Sequence, residues 1–138
     1  MWIRLSNRDK NTVYFYNTAT QEKSEVRPKD GFRLYHILIK HKDSRKPVET
    51  SIEEALQQIS KIHQELKGRI NDHNFRDTFK EYAFKYSQCS SAKRGGDLGI
   101  VCGNEMMPEF EKPAFSLKRG EMIGPVPTPS GFHIIYRR

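Results

Sequence analysis

Three side chains in this sequence combine residue types that can do chemistry together: the thiol of Cys89 and the imidazoles of His36 and His133. A thiol beside an imidazole is the pairing used by thiol nucleophiles, because the ring removes the thiol proton. Both histidines, however, lie inside apolar, strand-like segments, and that setting favours neutral rings in a buried hydrogen-bond network. A covalent role for Cys89 therefore ranks second to a role as a polar contact, and both interpretations stay open.

Cys89 stands near the start of a polar run rich in glycine, SQCSSAKRGGDLG, at residues 87–99. Gly95, Gly96 and Gly99 permit positive φ or the close approach of another backbone, and the run has few apolar side chains. We therefore expect it to form a surface turn and to take no part in the core.

Strands that could hold the histidines are indicated by hydrophobic runs. Residues 32–40 form a run that predicts a strand buried on both faces, and residues 133–137 predict a closing strand. A shorter signal predicts a strand at residues 100–102.

The segments of sequence between these predicted strands show the periodicity of helices. Ser51 and Glu54 form a capping box at the start of a helix that ends near Gly68. A second helix over residues 75–86 leads into the Cys89 run, and a helical turn is expected at residues 109–112. This order of elements predicts an α+β fold in which helices cover a sheet.

Residues 1–28 carry the signals of a small β unit. Residues 2–5 and 13–17 are rich in β-branched and aromatic side chains, and the polar turn between them predicts a hairpin with room for a third short strand. A unit of fewer than about 40 residues is marginal alone. Residues 29–31 are too short to be a flexible tether, so we expect the unit to pack against the rest of the chain.

The composition is that of a globular protein with a basic balance. Of 138 residues, 24 are Lys or Arg and 17 are Asp or Glu, which gives a formal net charge of +7. This charge favours anionic partners such as phosphorylated peptide, an acidic membrane surface or nucleic acid. No nucleic acid is expected, because no stripe interleaves basic and aromatic residues.

Membrane, metal and disulfide chemistry are not expected. No apolar run approaches the ~20 residues of a membrane span, and the N-terminus lacks the apolar core of a secretion signal, so the expected location is the nucleus or cytoplasm. Cys89 and Cys102 lack CxxC spacing and a matching His/Cys cluster, which argues against a metal site. Two free thiols are the better interpretation.

Several ordered motifs, taken together, resemble the parvulin family of peptidyl-prolyl cis/trans isomerases. They are YHILIKH around His36, SQCSSAKRGGDLG around Cys89, GEMIGPV at residues 120–126 and TPSGFHIIYR around His133. The resemblance covers roughly residues 32–138 and implies a domain over residues 29–138 with a four-stranded mixed or antiparallel sheet flanked by helices. It implies that five side chains form the polar floor of the active site: His36, Cys89, Thr128, Ser130 and His133.

Within that family the chain is similar to the subclass that prefers phosphoserine or phosphothreonine before proline. The resemblance implies that Lys40, Arg45 and Lys46 bind the phosphate, which carries about 1.5 to 2 negative charges. Residues of this kind in a loop can equally form a solvated surface, so the assignment depends on the resemblance.

The resemblance also implies a pocket for the substrate proline ring, formed by Leu98, Met106 and Phe110. Apolar side chains at such spacing also form ordinary core. Met107 departs from the family pattern, because similar members often carry a polar residue there.

Residues 1–28 resemble a WW domain, a three-stranded module that docks proline-containing peptides. The match rests on Trp2, the YFYN segment, Thr20 and Pro28. The second tryptophan of the WW pattern falls at Glu25, which predicts a degenerate ligand groove.

The function that the resemblance implies is isomerisation of phospho-Ser/Thr-Pro bonds in proteins. Rotation about an X-Pro amide crosses a barrier of ~18–20 kcal/mol because it breaks amide resonance. No proton or electron need be transferred, so a site that binds the twisted amide better than either planar isomer suffices. We expect phosphorylated protein partners, a monomer and no cofactor. A phosphopeptide-binding adaptor with little turnover is the main alternative, and a thiol hydrolase is the third.

Overall fold

The computed structural model describes all 138 residues, which form one three-stranded sheet, one four-stranded sheet and three α-helices. Every strand pairing within the two sheets is antiparallel. The predicted α+β class is confirmed, and the larger sheet is antiparallel throughout. None of the helices combines the length and the hydropathy that a membrane crossing requires.

The smaller sheet is built as the aromatic and β-branched residues of the first segment predict. Its strands, in the order β1-β2-β3, are β1 Trp2–Asn7, β2 Thr12–Asn17 and β3 Lys23–Ser24. The turn between β1 and β2 is closed by Asn7, whose side-chain oxygen accepts hydrogen bonds from the N–H groups of Asp9 and Lys10 at 3.1 and 3.3 Å. Phe15 is the buried residue of this sheet.

The larger sheet carries the two histidines on its central strands. Its strands are β4 Phe32–Ile39, β5 Asp97–Val101, β6 Met122–Thr128 and β7 Gly131–Arg137. Their order is β5-β4-β7-β6, so β4 and β7 are flanked on both sides. The continuous apolar run of β4 is accordingly buried, as predicted.

Helices cover both faces of the larger sheet. They are α1 Ile52–Lys67, α2 Phe75–Tyr86 and α3 Pro108–Phe115. The Ser51 side chain accepts a hydrogen bond from the N–H of Glu54 at 3.1 Å, which caps α1 as the sequence predicts. Because strand side chains alternate, Tyr35 and Ile134 pack against α1 and α2, whereas Leu34 and Ile135 pack on the α3 side.

Strand β6 and most of α3 were not predicted from periodicity. Pro125 and Pro127 argue against a strand, but β6 lies at the edge of its sheet with a register irregularity between Ile123 and Val126, where proline is tolerated. Helix α3 is longer than the predicted turn because it continues through Pro113.

The run at residues 87–99 is only in part the surface turn that its composition predicts: Ser91, Gly95 and Gly96 are buried, whereas the other ten residues are exposed or half-buried. Residues 90–94 form a 3₁₀-helix, and Ser91 is only 1% exposed. Gly96 has a φ of +78°, and a Cβ there would lie 2.3 Å from the carbonyl oxygen of His36. The absence of a side chain at Gly96 allows this backbone to pack directly on β4, so this part of the run is buried without apolar residues.

The two sheets are in contact, as the short connection between them predicts. The N–H of Arg4 in β1 donates to the carbonyl of Gly103 at 2.8 Å, and the N–H of Gly103 donates to the carbonyl of Trp2 at 3.0 Å. The first strand therefore pairs at its edge with the segment that follows β5.

Candidate active site

The pairing of β4 with β7 brings the two histidines together. His36 lies opposite Ile135, and His133 lies opposite Leu38, so the histidines are diagonal neighbours on the face that packs against α3. Their Nδ1 atoms are 3.1 Å apart, and their rings are stacked with centroids 5.3 Å apart. Two residues separated by most of the domain's sequence are thus in direct hydrogen-bond contact.

Hydroxyl groups extend this contact into a chain of four side chains, which we call the histidine chain: Ser91, His36, His133 and Thr128. The Oγ of Ser91 lies 3.1 Å from His36 Nε2, and the Oγ1 of Thr128 lies 2.7 Å from His133 Nε2. Every ring nitrogen of the pair therefore has a partner. The N–H of Ser130 donates to the Thr128 hydroxyl at 3.1 Å, which fixes the end of the chain to the turn between β6 and β7.

Burial keeps both rings of this chain neutral. It lowers the pKa of His36 to about 4, and burial together with the neighbouring His36 ring lowers the pKa of His133 to about 3. A charged imidazolium would lose its hydration there, and no carboxylate hydrogen-bonds to either ring. At neutral pH the chain is consequently a polar structure without net charge.

Cys89 lies in a neighbouring groove and outside the histidine chain. It is half-buried, and none of the hydrogen bonds to the two imidazoles involves its thiol. The groove has a volume of about 340 Å³ and is lined by Cys89 together with Leu38, Lys40, Arg45, Lys46, Gln88, Ser90 and Ser130. Cys89 and the three predicted phosphate ligands thus share one cavity.

The loop that carries the cations is fastened to the turn between β6 and β7. The N–H of Arg45 donates to the carbonyl of Pro129 at 2.7 Å, and its guanidinium donates to the Oγ of Ser130 at 3.3 Å. The salt bridges of the molecule involve other residues, so Lys40, Arg45 and Lys46 have no carboxylate partner. Three positive charges in one groove without a counter-charge form a site suited to an anion.

The three predicted proline-pocket residues differ in their exposure. Phe110 is fully buried, and its ring packs edge-on against His36 and His133 with centroids 5.6 and 5.3 Å apart. Leu98 and Met106 are half-buried and pack at the border of the same apolar cluster. Phe110 therefore supports the histidine chain from below, whereas Leu98 and Met106 have surface available to a ligand.

Comparison with known proteins identifies the family to which this domain belongs. Residues 36–138 match the family described as "Rotamase: PPIC-type PPIASE domain". The peptidyl-prolyl cis-trans isomerase pin1 of Schizosaccharomyces pombe is 36% identical over 99% of this chain and 94% of its own length. The peptidyl-prolyl cis-trans isomerase ESS1 of Saccharomyces cerevisiae is 38% identical over 99% and 91%. The chain belongs to the parvulin-type peptidyl-prolyl cis/trans isomerases.

Solved structures place the fold of this isomerase in the same family. The peptidyl-prolyl isomerase ESS1 from Candida albicans superimposes with a TM-score of 0.69 at 30% identity, covering 99% of this chain and 93% of the other. The PPIase domain of TbPar42 gives a TM-score of 0.70 at 36% identity, covering 77% and 98%. The parvulin-type isomerase catalyses rotation about X-Pro bonds in protein substrates.

Two side chains that shape the site of this isomerase were not predicted. Ser91 completes the histidine chain, and its position two residues after Cys89 in a polar run gave no sign of burial. Gln88 accepts a hydrogen bond from the N–H of Lys40 at 2.6 Å, and its own N–H donates to the carbonyl of Leu38 at 2.7 Å. No group of three or more His, Cys, Asp or Glu side chains in the isomerase is placed to hold a metal ion.

Proposed function

We propose that this parvulin-type isomerase acts preferentially on phosphoserine- and phosphothreonine-proline bonds. The observation that carries the proposal is the groove in which Lys40, Arg45 and Lys46 lie beside Cys89 without a carboxylate partner. A phosphate at neutral pH carries about 1.5 to 2 negative charges and accepts charge-assisted hydrogen bonds from such cations. Phosphorylated Ser/Thr-Pro proteins are the corresponding partners.

Catalysis in this proposal is non-covalent. In this proposal the phosphate anchors one side of the bond, and the proline ring on the other side contacts the half-buried Leu98 and Met106, with the fully buried Phe110 packed behind them. With both ends held, the amide between them can be bound more tightly when twisted than when planar, and about 1.4 kcal/mol of such preference accelerates rotation tenfold. In this proposal Cys89 and Ser130, two of the polar side chains that line the groove, contact the rotating bond.

The histidine chain has a positioning role in this mechanism. His36 and His133 are buried and use their ring nitrogens within the chain, so neither is available to take a proton from Cys89. Their lowered pKa values also make them weak bases at neutral pH. Cys89 accordingly acts as a polar contact and not as a nucleophile.

The smaller sheet, residues 1–28, is proposed to be a WW-type module with a degenerate ligand groove, followed by the isomerase domain at residues 29–138. Alignments with relatives that cover 99% of the chain include this segment. Glu25 occupies the place of the second WW tryptophan and lines a wide groove of about 610 Å³ together with Tyr14, Lys10 and Lys23. A carboxylate provides no flat aromatic face on which a proline ring could stack.

The proposal is tested by NMR exchange measurements with peptides that differ only in the residue before proline. We expect the highest kcat/KM for phosphoserine, a lower value for glutamate and the lowest for serine. The Arg45→Ala/Lys46→Ala variant should lose about tenfold or more on the phosphorylated peptide and little on the serine peptide.

The matched control is Lys42→Ala, an exposed cation in the same loop that does not line the groove. Equal rates on all three peptides would leave an isomerase without phosphate preference. Tight binding of the phosphorylated peptide without acceleration would instead favour the adaptor alternative.

A further inference from the structure

Arg27, just before the connection between the two sheets, binds directly to the isomerase domain. Its guanidinium forms a bidentate ion pair with Glu105, in which Nη2 donates to Oε2 at 2.7 Å and Nη1 donates to Oε1. Nη1 also donates to the carbonyl of Ile100 at 3.0 Å. On its other side, the guanidinium lies 5.0 Å from the centroid of the Phe15 ring. Arg27 therefore joins the buried aromatic of the smaller sheet to the larger sheet.

Glu105 belongs to a loop, residues 102–107, whose backbone is held largely by carboxylates. Oε1 of Glu105 accepts the N–H of Cys102 at 2.7 Å. Glu111 of α3 accepts the N–H groups of Asn104, Glu105 and Met106 at 3.2, 3.0 and 3.0 Å. The loop is thus anchored from inside its own domain by Glu111, and from the smaller sheet both by the hydrogen bonds of β1 to Gly103 and by Arg27.

The same ion pair lies beside two of the three residues of the proposed proline pocket. Arg27 and Glu105 line a cavity of about 290 Å³ together with Leu98 and Met106, and Phe110 does not line this cavity. Met106 directly follows Glu105 in the chain. A change in the position of Glu105 is therefore transmitted to Met106 across a single peptide bond.

We propose that Arg27 is a positioning residue for isomerisation, and that its ion pair with Glu105 holds the 102–107 loop so that Met106 stands in place beside Leu98. A planar guanidinium paired with both carboxylate oxygens fixes direction as well as distance, which a single charge contact does not. A loop that is already ordered does not lose conformational freedom when the substrate binds. The inference rests on the proposed role of Met106 in the proline pocket.

The smaller sheet has a function in this arrangement that does not require a peptide of its own. Its edge strand is hydrogen-bonded to Gly103, and its Phe15 ring lies against Arg27. Both contacts meet the loop that carries Met106. The module then supports the substrate pocket even though Glu25 replaces the tryptophan of the WW ligand groove.

The first experiment compares the kcat/KM of the full chain with that of Arg27→Ala, using the phosphoserine-proline exchange assay. We expect a loss of roughly threefold to tenfold, mostly through KM, because the looser pocket must be ordered by the substrate. Arg27→Lys should recover part of the loss, since it restores the charge but not the bidentate contact. Lys29→Ala removes an exposed positive charge two residues away and should change kcat/KM by less than about twofold.

The second experiment asks whether the effect passes through Glu105 and reaches Met106. Arg27→Ala combined with Glu105→Gln should be no slower than the slower of the two single variants, because each removes the same interaction. In methionine-methyl NMR spectra of the unliganded chain, Arg27→Ala should shift or broaden the Met106 signal. The Met122 signal, from strand β6, should stay in place.

The outcomes distinguish a failure of the proposed role of Arg27 from a failure of the proposed proline pocket. If Arg27→Ala behaves like Lys29→Ala in both assays, the positioning role is wrong. If the Met106 signal moves but Met106→Ala itself has normal kcat/KM, the ion pair orders the loop while the proline pocket lies elsewhere. Additive effects of Arg27→Ala and Glu105→Gln, or a Met122 shift as large as that of Met106, would indicate general destabilisation and overturn the inference.

Discussion

The histidine chain and the cationic loop, residues 40–46, both contact the turn between β6 and β7 but differ in burial and in charge. His36 and His133 are buried, neutral and fully hydrogen-bonded, and their contribution is geometry. Arg45 and Lys46 are exposed and have no carboxylate partner, and their contribution is charge. The difference separates the part of the site that keeps its shape from the part that attracts an anionic substrate.

This difference in burial and charge determines how each region affects the free energy of unfolding. Neutral, paired groups can be buried without a large penalty, whereas three unpaired cations have to stay hydrated. We therefore expect changes in the histidine chain to alter stability first and changes in the loop to alter substrate preference first.

The largest expected effect is the pH dependence of the free energy of unfolding, which should come from the histidine chain and not from the cationic loop. The folded pKa values of about 4 for His36 and about 3 for His133 lie below the unfolded value of about 6.5. The unfolded state thus binds more protons at acidic pH, and stability that is complete above about pH 6.5 is lost as the pH falls toward the folded pKa values. From about pH 6.5 to about pH 5, urea titrations should show a loss of about 3 kcal/mol.

Ring-carbon NMR titrations that placed both buried histidines near the ordinary value would contradict the neutral histidine chain.

A smaller but still large effect is expected when the packing of the 87–99 run on β4 is disturbed. Gly96→Ala places a Cβ 2.3 Å from the His36 carbonyl oxygen, and Gly96 also has positive φ. The combined clash and strain should destabilise the chain by about 3 kcal/mol. Gly99→Ala is the matched control, with a φ of +72° but no atom within 4 Å of the new Cβ, so it should cost only about 1 kcal/mol. Equal unfolding midpoints for the two variants would show that close backbone packing is not what positions the run.

Removing one end of the histidine chain should have an intermediate effect. Ser91→Ala leaves His36 Nε2 buried without a partner, which should cost about 1 to 3 kcal/mol of unfolding free energy. The neighbouring Ser90 is exposed, and Ser90→Ala should change stability by less than about 0.5 kcal/mol. The ratio of kcat/KM between phosphorylated and unphosphorylated peptides should stay the same in Ser91→Ala. A selective loss on the phosphorylated peptide would mean that the two regions are not separate.

The smallest effect in free energy is expected at the cationic loop, where salt should act on the substrate alone. Raising the ionic strength from about 0.1 M to about 1 M shortens the screening length from about 10 Å to about 3 Å. We expect kcat/KM for the phosphoserine peptide to fall about fivefold, a change of about 1 kcal/mol, while that for the serine peptide stays within about twofold. An equal fall in kcat/KM for both peptides would contradict the proposal that the cationic loop binds the phosphate through its charge.

The sequence predicts local features of this molecule better than long-range ones. The periodicity over residues 52–66 predicts α1, and the apolar run at residues 32–40 predicts the buried strand β4, because both depend on neighbours in the chain. Strand β6 was missed because the cost of Pro125 and Pro127 is removed only by the position of β6 at the sheet edge.

The same limit applies to the site. The expectation that His36 and His133 belong to a buried hydrogen-bond network follows from their apolar surroundings. Ser91 could not be assigned to that network, because its burial results from a backbone approach that only the glycines allow. The pairing of Arg27 with Glu105 joins residues far apart in the chain, and no local pattern distinguishes them from other surface charges.

The number of exchangeable hydrogens along the histidine chain determines the direction of its hydrogen bonds. Two hydroxyls and two neutral imidazoles carry four exchangeable hydrogens, but the three links between them use only three. Ser91 is 1% exposed and has no second acceptor, so its hydrogen must point to His36, and each later link donates in the same direction. The unused hydrogen is left on the hydroxyl of Thr128, at the half-buried end. The chain therefore delivers one oriented donor to its outer end without any charged group being present.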